Sequence, residues 1–221
     1  MTQAIIFCDF DGTITTNDNI IAIMKHFDPP GWEPIKDEIL AQTLSIREGV
    51  KNMFSLLPSA KRDEVIANVL EQAEIREGFT EFVAYAKREK LPLYIVSGGI
   101  DFFVYPLLEP FGPFAGIYCN TADFSGDAIR INFPHGCDET CESQGCGCCK
   151  PSIIRDLLAD GATSIVIGDS ITDLQAAKQA DLVIARDFLS QKCEELNIAY
   201  EPFENFGDVT KIIDAKLGVR P

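Results

Sequence analysis

The segment FCDFDGT, residues 7–13, places two carboxylates at the end of a short apolar run. Side chains alternate along an extended chain, so Asp9 and Asp11 point to one side while Phe10 points to the other. Two converging carboxylates attract a cation, and Gly12 permits a sharp turn whose bare backbone amides can bind an anion. The segment therefore predicts a strand that ends in a site for a cation and an ester phosphate.

A calcium-binding EF-hand loop is the alternative interpretation of this segment. Such a loop needs a glycine at its sixth position and a glutamate at its twelfth. Counted from Asp9, those positions hold Ile14 and Ile20. The mismatch disfavours the calcium loop.

Short apolar runs recur along the chain, and each leads into a turn followed by helical periodicity. These runs are residues 4–8, 93–96, 117–120, 164–167 and 182–185. The alternation predicts an α/β fold with a doubly wound parallel sheet. Ligands of such sheets bind at the carboxyl ends of the strands. The polar residues at those ends are therefore candidates for function, namely Asp9, Ser97, Asp169 and Asp187.

A second acidic turn, GDSITD at residues 168–173, follows the fourth predicted strand. It places Asp169 at the same end of the sheet as Asp9, and Thr172 with Gln175 matches a capping box for the next helix. A single aspartate at a strand end is commonly a turn former or a helix cap. Two acidic turns in one sheet instead indicate a metal site, and oxygen ligands with room for water suit Mg²⁺.

Two further elements suit a phosphoryl group. Ser97 ends the second predicted strand, where its hydroxyl and the amide of Gly98 could bind a phosphoryl oxygen. Lys150 precedes Pro151 at the start of a predicted helix. Taken alone, the first is a common turn and the second a common surface lysine. With the acidic turns, they indicate phosphoryl transfer, in which charge stabilisation supplies most of the catalysis.

The pattern between the first two strands divides the chain. Residues 17–76 are helical throughout, and Ser45 with Glu48 matches a capping box. We expect this stretch to form a small helical cap inserted into an α/β core made of residues 1–16 and 77–221. A second insert, residues 121–149, is rich in glycine and cysteine.

The composition disfavours several other functions. Nineteen basic and 34 acidic residues give a formal charge of −15, which repels nucleic acid and anionic lipid surfaces. The first apolar run is far shorter than the roughly twenty residues that cross a bilayer. Only His26 and His135 are present, too few for a tri-histidine zinc site. We expect a cytoplasmic protein whose chemistry depends on carboxylates and whose partners include neither nucleic acid nor membrane.

Five of the eight cysteines lie directly before Lys150. A cytosolic chain keeps its thiols reduced, and the spacings lack the paired Cys-x-x-Cys of a strong zinc signature. Three interpretations stay open: a structural Zn²⁺ held by four thiolates, with His135 as a further ligand, a packed thiol cluster, or an oxidisable pair. In each case we expect the segment to pin the loop that presents Lys150. The five are Cys137, Cys141, Cys146, Cys148 and Cys149.

Four motifs resemble, in order, those of the haloacid dehalogenase superfamily. They are DFDGT at residues 9–13, the serine motif at Ser97, Lys150, and GDSITD at residues 168–173. The helical insert after the first motif resembles the small cap of the phosphoserine phosphatase-like branch. Longer segments extend the resemblance to one member of that branch over nearly the whole chain: CDFDGTIT at 8–15, VSGGIDFFVYPLL at 96–108, CGCCKPSII at 146–154 and ARDFL at 185–189.

This resemblance implies a magnesium-dependent phosphatase acting on a small phosphorylated metabolite. Asp9 would be the nucleophile, and Asp11 the general acid and then the general base. Ser97 and Lys150 would bind the phosphate. The magnesium ligands would be Asp9, Asp169 and, through its backbone carbonyl, Asp11, with Asp173 supporting the metal site from the second layer of residues.

Two alternatives remain at this point. Another small phosphomonoester, such as phosphoserine, phosphocholine or phosphoethanolamine, would use the same catalytic residues. A phospho-acceptor signalling domain also combines aspartates, Mg²⁺, a hydroxyl residue and a lysine at strand ends. The large helical insert and the acid/base group Asp11 disfavour a signalling domain, because that group would hydrolyse a phosphoaspartate needed as a lasting signal.

Overall fold

The structure, a computed structural model, describes residues 4–218 and contains a seven-stranded sheet. Its strand order is β4-β3-β2-β1-β5-β6-β7, and every neighbouring pair is parallel except β3 and β4. This confirms the predicted doubly wound α/β fold, with all five predicted runs in strands. The strands are β1 (Ala4–Cys8), β2 (Leu93–Ile100), β3 (Gly116–Asp123), β4 (Arg130–Asn132), β5 (Thr163–Gly168), β6 (Leu182–Ala185) and β7 (Glu201–Pro202).

Side chains alternate along the central strand, so apolar side chains point to both faces of the sheet. Helices cover both faces and bury them. Ile5 and Phe7 of β1 pack with Ile153 and Ile154 on one face. Ile6 belongs to the larger core on the other face. The helices outside the insert are α5 (Phe79–Arg88), α6 (Asp101–Leu108), α7 (Lys150–Leu157), α8 (Leu174–Ala177), α9 (Asp187–Leu196) and α10 (Phe206–Leu217).

Four α-helices lie between β1 and α5, in the stretch predicted to be helical. Ser45 accepts a hydrogen bond from the Glu48 amide at 3.2 Å and so caps the third of them. On the basis of this arrangement, we propose that residues 17–76 form a cap and residues 1–16 and 77–221 the core, of which residues 1–3 and 219–221 lie outside the described residues. The four helices are α1 (Asn19–Phe27), α2 (Trp32–Leu40), α3 (Ile46–Ser55) and α4 (Arg62–Gln72).

Strand β2 continues past its predicted end at Val96. The register with β3 shifts between Val96 and Ile100, which indicates a bulge. Within it, the side-chain amide of Asn120 donates to the Gly98 carbonyl at 2.8 Å. Ser97 was predicted to end the strand but lies inside it. The contact with Asn120 lets the chain stay extended through Gly98 and Gly99.

The segment after β3 adds a strand that the sequence pattern did not predict. Residues 121–123 pair antiparallel with β4, so the first part of the Cys-rich insert extends the sheet. The tip of this hairpin also pairs with the cap: Ser59 donates to the Asp127 carbonyl and Ile129 to the Leu57 carbonyl, each at 2.9 Å. Residues 133–149 then contain neither helix nor strand.

Across residues 4–218, every helix falls short of the length and apolarity that a membrane crossing demands.

Candidate active site

Asp9 lies at the end of the central strand, where the fold holds its carboxylate in place. Its amide donates to the Ile167 carbonyl of β5 at 2.9 Å. Its carboxylate accepts from the Phe10 amide at 2.7 Å, and only 5% of the residue is exposed. The two adjacent strands β1 and β5 therefore bring the two acidic turns together, as their sequence positions predict.

Three carboxylates converge at this edge of the sheet. Asp9, Asp169 and Asp173 each offer an oxygen within 4.8 Å of the others. Burial and the charge of Asp173 raise the pKa of Asp9 well above its ordinary value. The same two causes raise the pKa of Asp169 to about 7. These groups repel one another when ionised, so a cation between them would be favourable.

Lys150 supplies one positive charge to this cluster. Its ammonium lies 2.8 Å from Asp9 and 2.6 Å from Asp173, and the side chain is 4% exposed. Burial alone would lower the pKa of Lys150, but the two carboxylates raise it above its ordinary value. The lysine is the first residue of α7, after Cys149. It stays charged and sits where a phosphoryl group on Asp9 would lie beside it.

Asp173 closes the second acidic turn. It accepts hydrogen bonds from the Asp169 and Ser170 amides at 3.2 and 3.0 Å, and Ser170 with Asp173 forms a capping box. The predicted box of Thr172 with Gln175 is wrong. A 3₁₀ turn at Ile171–Asp173 precedes α8, so the cap falls two residues earlier, and the Thr172 hydroxyl bonds Ser170 instead.

Asp11 faces the cap. One of its carboxylate oxygens accepts from the Asn19 amide at 3.1 Å and from the Asn19 side chain at 2.7 Å. The other oxygen is buried and lacks a protein partner among the described residues. Burial and the charge of Asp18 raise the pKa of Asp11 to about 7. A side chain of this pKa exchanges protons near neutral pH, as a general acid and base must.

Ser97 and Gly98 lie in β2, the strand next to β1, and Ser97 is fully buried. The Ser97 hydroxyl oxygen accepts from the Gly99 amide at 2.8 Å, which leaves its proton available for another acceptor. A β-carbon at position 99 would lie 2.5 Å from the free Asp11 oxygen, so only glycine permits this approach. Gly98 faces the same cavity as Asp9.

Several supporting residues were not predicted. The Thr13 hydroxyl donates to Asp169 at 2.7 Å. Arg76 donates to the carbonyls of Thr13 and Gly12 at 2.7 and 2.6 Å. Asn19 orients Asp11, as described above. The polar run at residues 17–19 was a signal for Asn19, but Arg76 is 63 residues from its partner and has no local signal.

A cavity of about 430 Å³ lies between core and cap, and Ser97, Lys150 and Asp173 are not among the residues that line it. Its floor contains Asp9, Asp11 and Asp169. Lys36 also faces it but pairs with Asp37 at 3.2 Å. The predicted candidate Asp187 lies exposed at the rim, outside the three-carboxylate cluster. The cap wall is largely apolar, with Ile20, Ile21, Ile39, Leu40, Ile46, Val50 and Met53.

The arrangement suits phosphoryl transfer, and the comparison with known proteins gives the class. The profile of the haloacid dehalogenase-like hydrolase family matches residues 6–178, and the chain belongs to this family. The chain is thus an enzyme, and the signalling alternative is set aside. Membership implies Mg²⁺, which fits the oxygen-only donors of Asp9 and Asp169.

Several curated proteins that share one name are similar to this chain over almost their whole length. A 2-hydroxy-3-keto-5-methylthiopentenyl-1-phosphate phosphatase of Geobacillus thermodenitrificans is 60% identical over 207 residues, 94% of each chain. A protein of the same name from Bacillus cereus (strain B4264) is 54% identical over 215 residues, 97% of this chain and 98% of the relative.

Solved structures share the fold. A phosphoserine phosphatase with an analogue of its phospho-aspartyl intermediate superposes with a TM-score of 0.71 at 19% identity, covering 96% of this chain and 99% of the other. A probable phosphoserine phosphatase from Vibrio cholerae gives 0.73 at 20% identity, covering 98% and 65%.

Proposed function

We propose that this enzyme hydrolyses 2-hydroxy-3-keto-5-methylthiopentenyl-1-phosphate in methionine salvage, by way of an aspartyl phosphate on Asp9. The relatives at 53–60% identity that carry this activity in their names support the substrate. The observation that carries the proposal is the cavity, which combines an acidic floor with an apolar wall. The acidic floor would receive a phosphate once a cation offsets its charge, and an uncharged methylthio tail matches the apolar wall.

In the first step, a carboxylate oxygen of Asp9 attacks phosphorus, and the bond from phosphorus to the enol oxygen breaks. Protonated Asp11 gives its proton to that oxygen, so the enol leaves uncharged. The raised pKa of Asp11 favours the protonated form that this step needs. Asp11 lies between Gly99 and the cap, where the leaving group would be.

In the second step, water attacks phosphorus and gives its proton to ionised Asp11. The bond from phosphorus to Asp9 breaks, which releases inorganic phosphate and restores both carboxyl groups. Lys150 and the Ser97 hydroxyl would hold the phosphoryl oxygens, with the Gly98 amide beside them. Closure of the cap keeps bulk water out, which strengthens these electrostatic interactions.

Magnesium would be held by the carboxylates of Asp9 and Asp169 and the backbone carbonyl of Asp11. When bound, it offsets the negative charge of the aspartates and lets the phosphate dianion approach. Asp173 would act on this site indirectly, since it accepts the Asp169 amide and pairs with Lys150.

A panel of phosphomonoesters tests the substrate. We expect kcat/KM for the methylthiopentenyl enol phosphate to exceed those for phosphoserine, phosphocholine and phosphoethanolamine by about a hundredfold or more, since a charged group against the apolar wall would lose hydration without a partner. Equal kcat/KM for phosphoserine would contradict the substrate and leave the phosphatase chemistry intact.

A further inference from the structure

The loop of residues 133–149 brings together four of its five cysteines. Cys137, Cys141, Cys146 and Cys149 place their sulfurs within 4.8 Å of one another. Cys141 and Cys146 are 3.6 Å apart, and within residues 4–218 none of the eight cysteines forms a disulfide. A thiolate lies about 2.3 Å from zinc, so sulfurs at the corners of a tetrahedron are about 3.8 Å apart. The observed spacing matches such an edge, whereas a disulfide requires about 2.05 Å.

The other two candidate ligands point away from this group. Cys148 packs in the buried cluster with Val96 and Ile153, and its sulfur lies 3.9 Å from the Tyr118 carbonyl. The ring of His135 stacks edge-on against Tyr118, 5.1 Å between centroids, and is not part of the four-sulfur group. Cys148 therefore packs in the core, whereas the adjacent Cys149 belongs to the four-sulfur group.

We propose that Cys137, Cys141, Cys146 and Cys149 bind one Zn²⁺ in a tetrahedral site that fixes the loop between α7 and the cap. Four thiolates around a single ion are typical of structural zinc, and an iron–sulfur cluster of several irons would hold its cysteines further apart. The loop has no helix or strand to stabilise it otherwise. A metal supplies that stability in short segments without a core of their own.

Backbone amides already face two of the sulfurs. The amides of Gln144 and Ser143 face the sulfur of Cys141. The Ser152 amide faces the sulfur of Cys149 in the same way. Amides directed at sulfur stabilise the thiolate, the form that binds a metal.

The site connects two parts of the proposed active site. Cys149 directly precedes Lys150, the first residue of α7. On the cap side, the Arg47 amide of α3 donates to the Gly145 carbonyl at 3.0 Å, and a β-carbon on Gly145 would lie 2.6 Å from Ser45. Zinc would thus hold both the lysine and the surface on which α3 rests.

Metal analysis tests the site without reference to activity. The protein is purified without added metal or metal-affinity resin and is dialysed to remove magnesium. Its zinc content is then measured by elemental mass spectrometry. We expect about one zinc per chain. Less than about 0.2 overturns the proposal, because a structural site binds too tightly to lose its ion in dialysis.

A double variant tests the ligands. We expect Cys137→Ser/Cys146→Ser to lose the zinc and to melt about 10 °C lower than the parent. Cys193→Ser, a buried cysteine of α9 outside the group, is the matched control and keeps one zinc. Full zinc content in the double variant overturns the assignment.

The parent protein gives a second measurement in case that variant does not fold. Titration with a mercurial thiol reagent should release one zinc as four thiols react, followed with a chromogenic chelator. Thiol reaction without zinc release, or an unreduced mass lower by two hydrogens, overturns the proposal in favour of free thiols or a disulfide.

The link to Lys150 rests on the proposed function and has its own readout. We expect zinc-stripped parent protein to bind inorganic phosphate about tenfold more weakly, measured by calorimetry with Mg²⁺ present. Unchanged phosphate affinity in the stripped protein would overturn the link to Lys150, while a zinc content of one would still support the metal site.

Discussion

Asp9 is the residue on which the proposed chemistry depends. An amide in its place nearly preserves size and can still accept from the Phe10 amide, but it cannot form an acylphosphate. We therefore expect Asp9→Asn to lower kcat by about a thousandfold or more while the melting temperature stays close to that of the parent. Asp187→Asn, at the exposed rim of the cavity, is the control and should keep kcat within about twofold. A kcat for Asp9→Asn within about tenfold of the parent would exclude the nucleophile role.

Asp11 has a role that depends on the leaving group. An asparagine there can still accept the hydrogen bond from the Asn19 side chain. It cannot supply the proton that the enol oxygen receives. We expect Asp11→Asn to reduce the rate of acylphosphate formation much less with p-nitrophenyl phosphate, whose leaving group needs no proton, than with the enol phosphate. Single-turnover kinetics measure this step separately from hydrolysis. Equal reductions on both substrates would count against the general-acid role.

The cap helices carry the specificity in this proposal. Leu40, the last residue of α2, faces the cavity and is 72% exposed, so a change there should not disturb the core. We expect Leu40→Asp to raise KM for the enol phosphate by about tenfold, with kcat within about threefold. Leu196→Asp, on α9 at 50% exposure and away from the cavity, is the matched control and should leave KM unchanged. A KM shift of the same size in both variants would mean that charge, not the apolar wall, is responsible.

Some structural elements could be predicted from the sequence and others could not. The ends of β1 and β5 were predictable because an apolar run followed by an acidic turn is a local pattern, and parallel strands bring their carboxyl ends to one edge. The bulge at Ser97 was not, since it depends on Asn120 of the neighbouring strand. The cap at Ser170 was missed because both Ser170 and Thr172 satisfy the pattern, and the preceding 3₁₀ turn decides between them. Arg76 joins segments distant in sequence, which no periodicity records.

At the scale of the whole molecule, the site couples metal, protons and stability. The pKa values of Asp11 and Asp169 are about 7 in the folded protein without metal, above the ordinary value of a carboxyl. The unfolded chain releases these protons at lower pH, so the metal-free fold loses stability as pH rises through about 4 to 7. A magnesium ion bound to the ionised carboxylates would restore that stability.

We therefore expect the rise in melting temperature on adding Mg²⁺ to be several degrees larger at pH 8 than at pH 5. Taking the difference with and without metal at each pH removes the titration of unrelated groups. Asp169→Asn should abolish most of this rise in melting temperature. Separately, a chelator should stop activity, and Ca²⁺ should restore it poorly because its looser coordination misplaces the reacting groups. An equal rise at both pH values would exclude this coupling.

The pairing of the cap with the tip of the β3–β4 hairpin has a consequence for solubility. A sheet edge with free amides and carbonyls can recruit strands from other chains and so promote aggregation. Here the backbone of residues 57–59 bonds residues 127–129, which lead directly into the edge strand β4. The insert that shapes the cavity therefore also shields the approach to one margin of the sheet. Any homologue that shortened this insert would need another way to protect that margin from self-association.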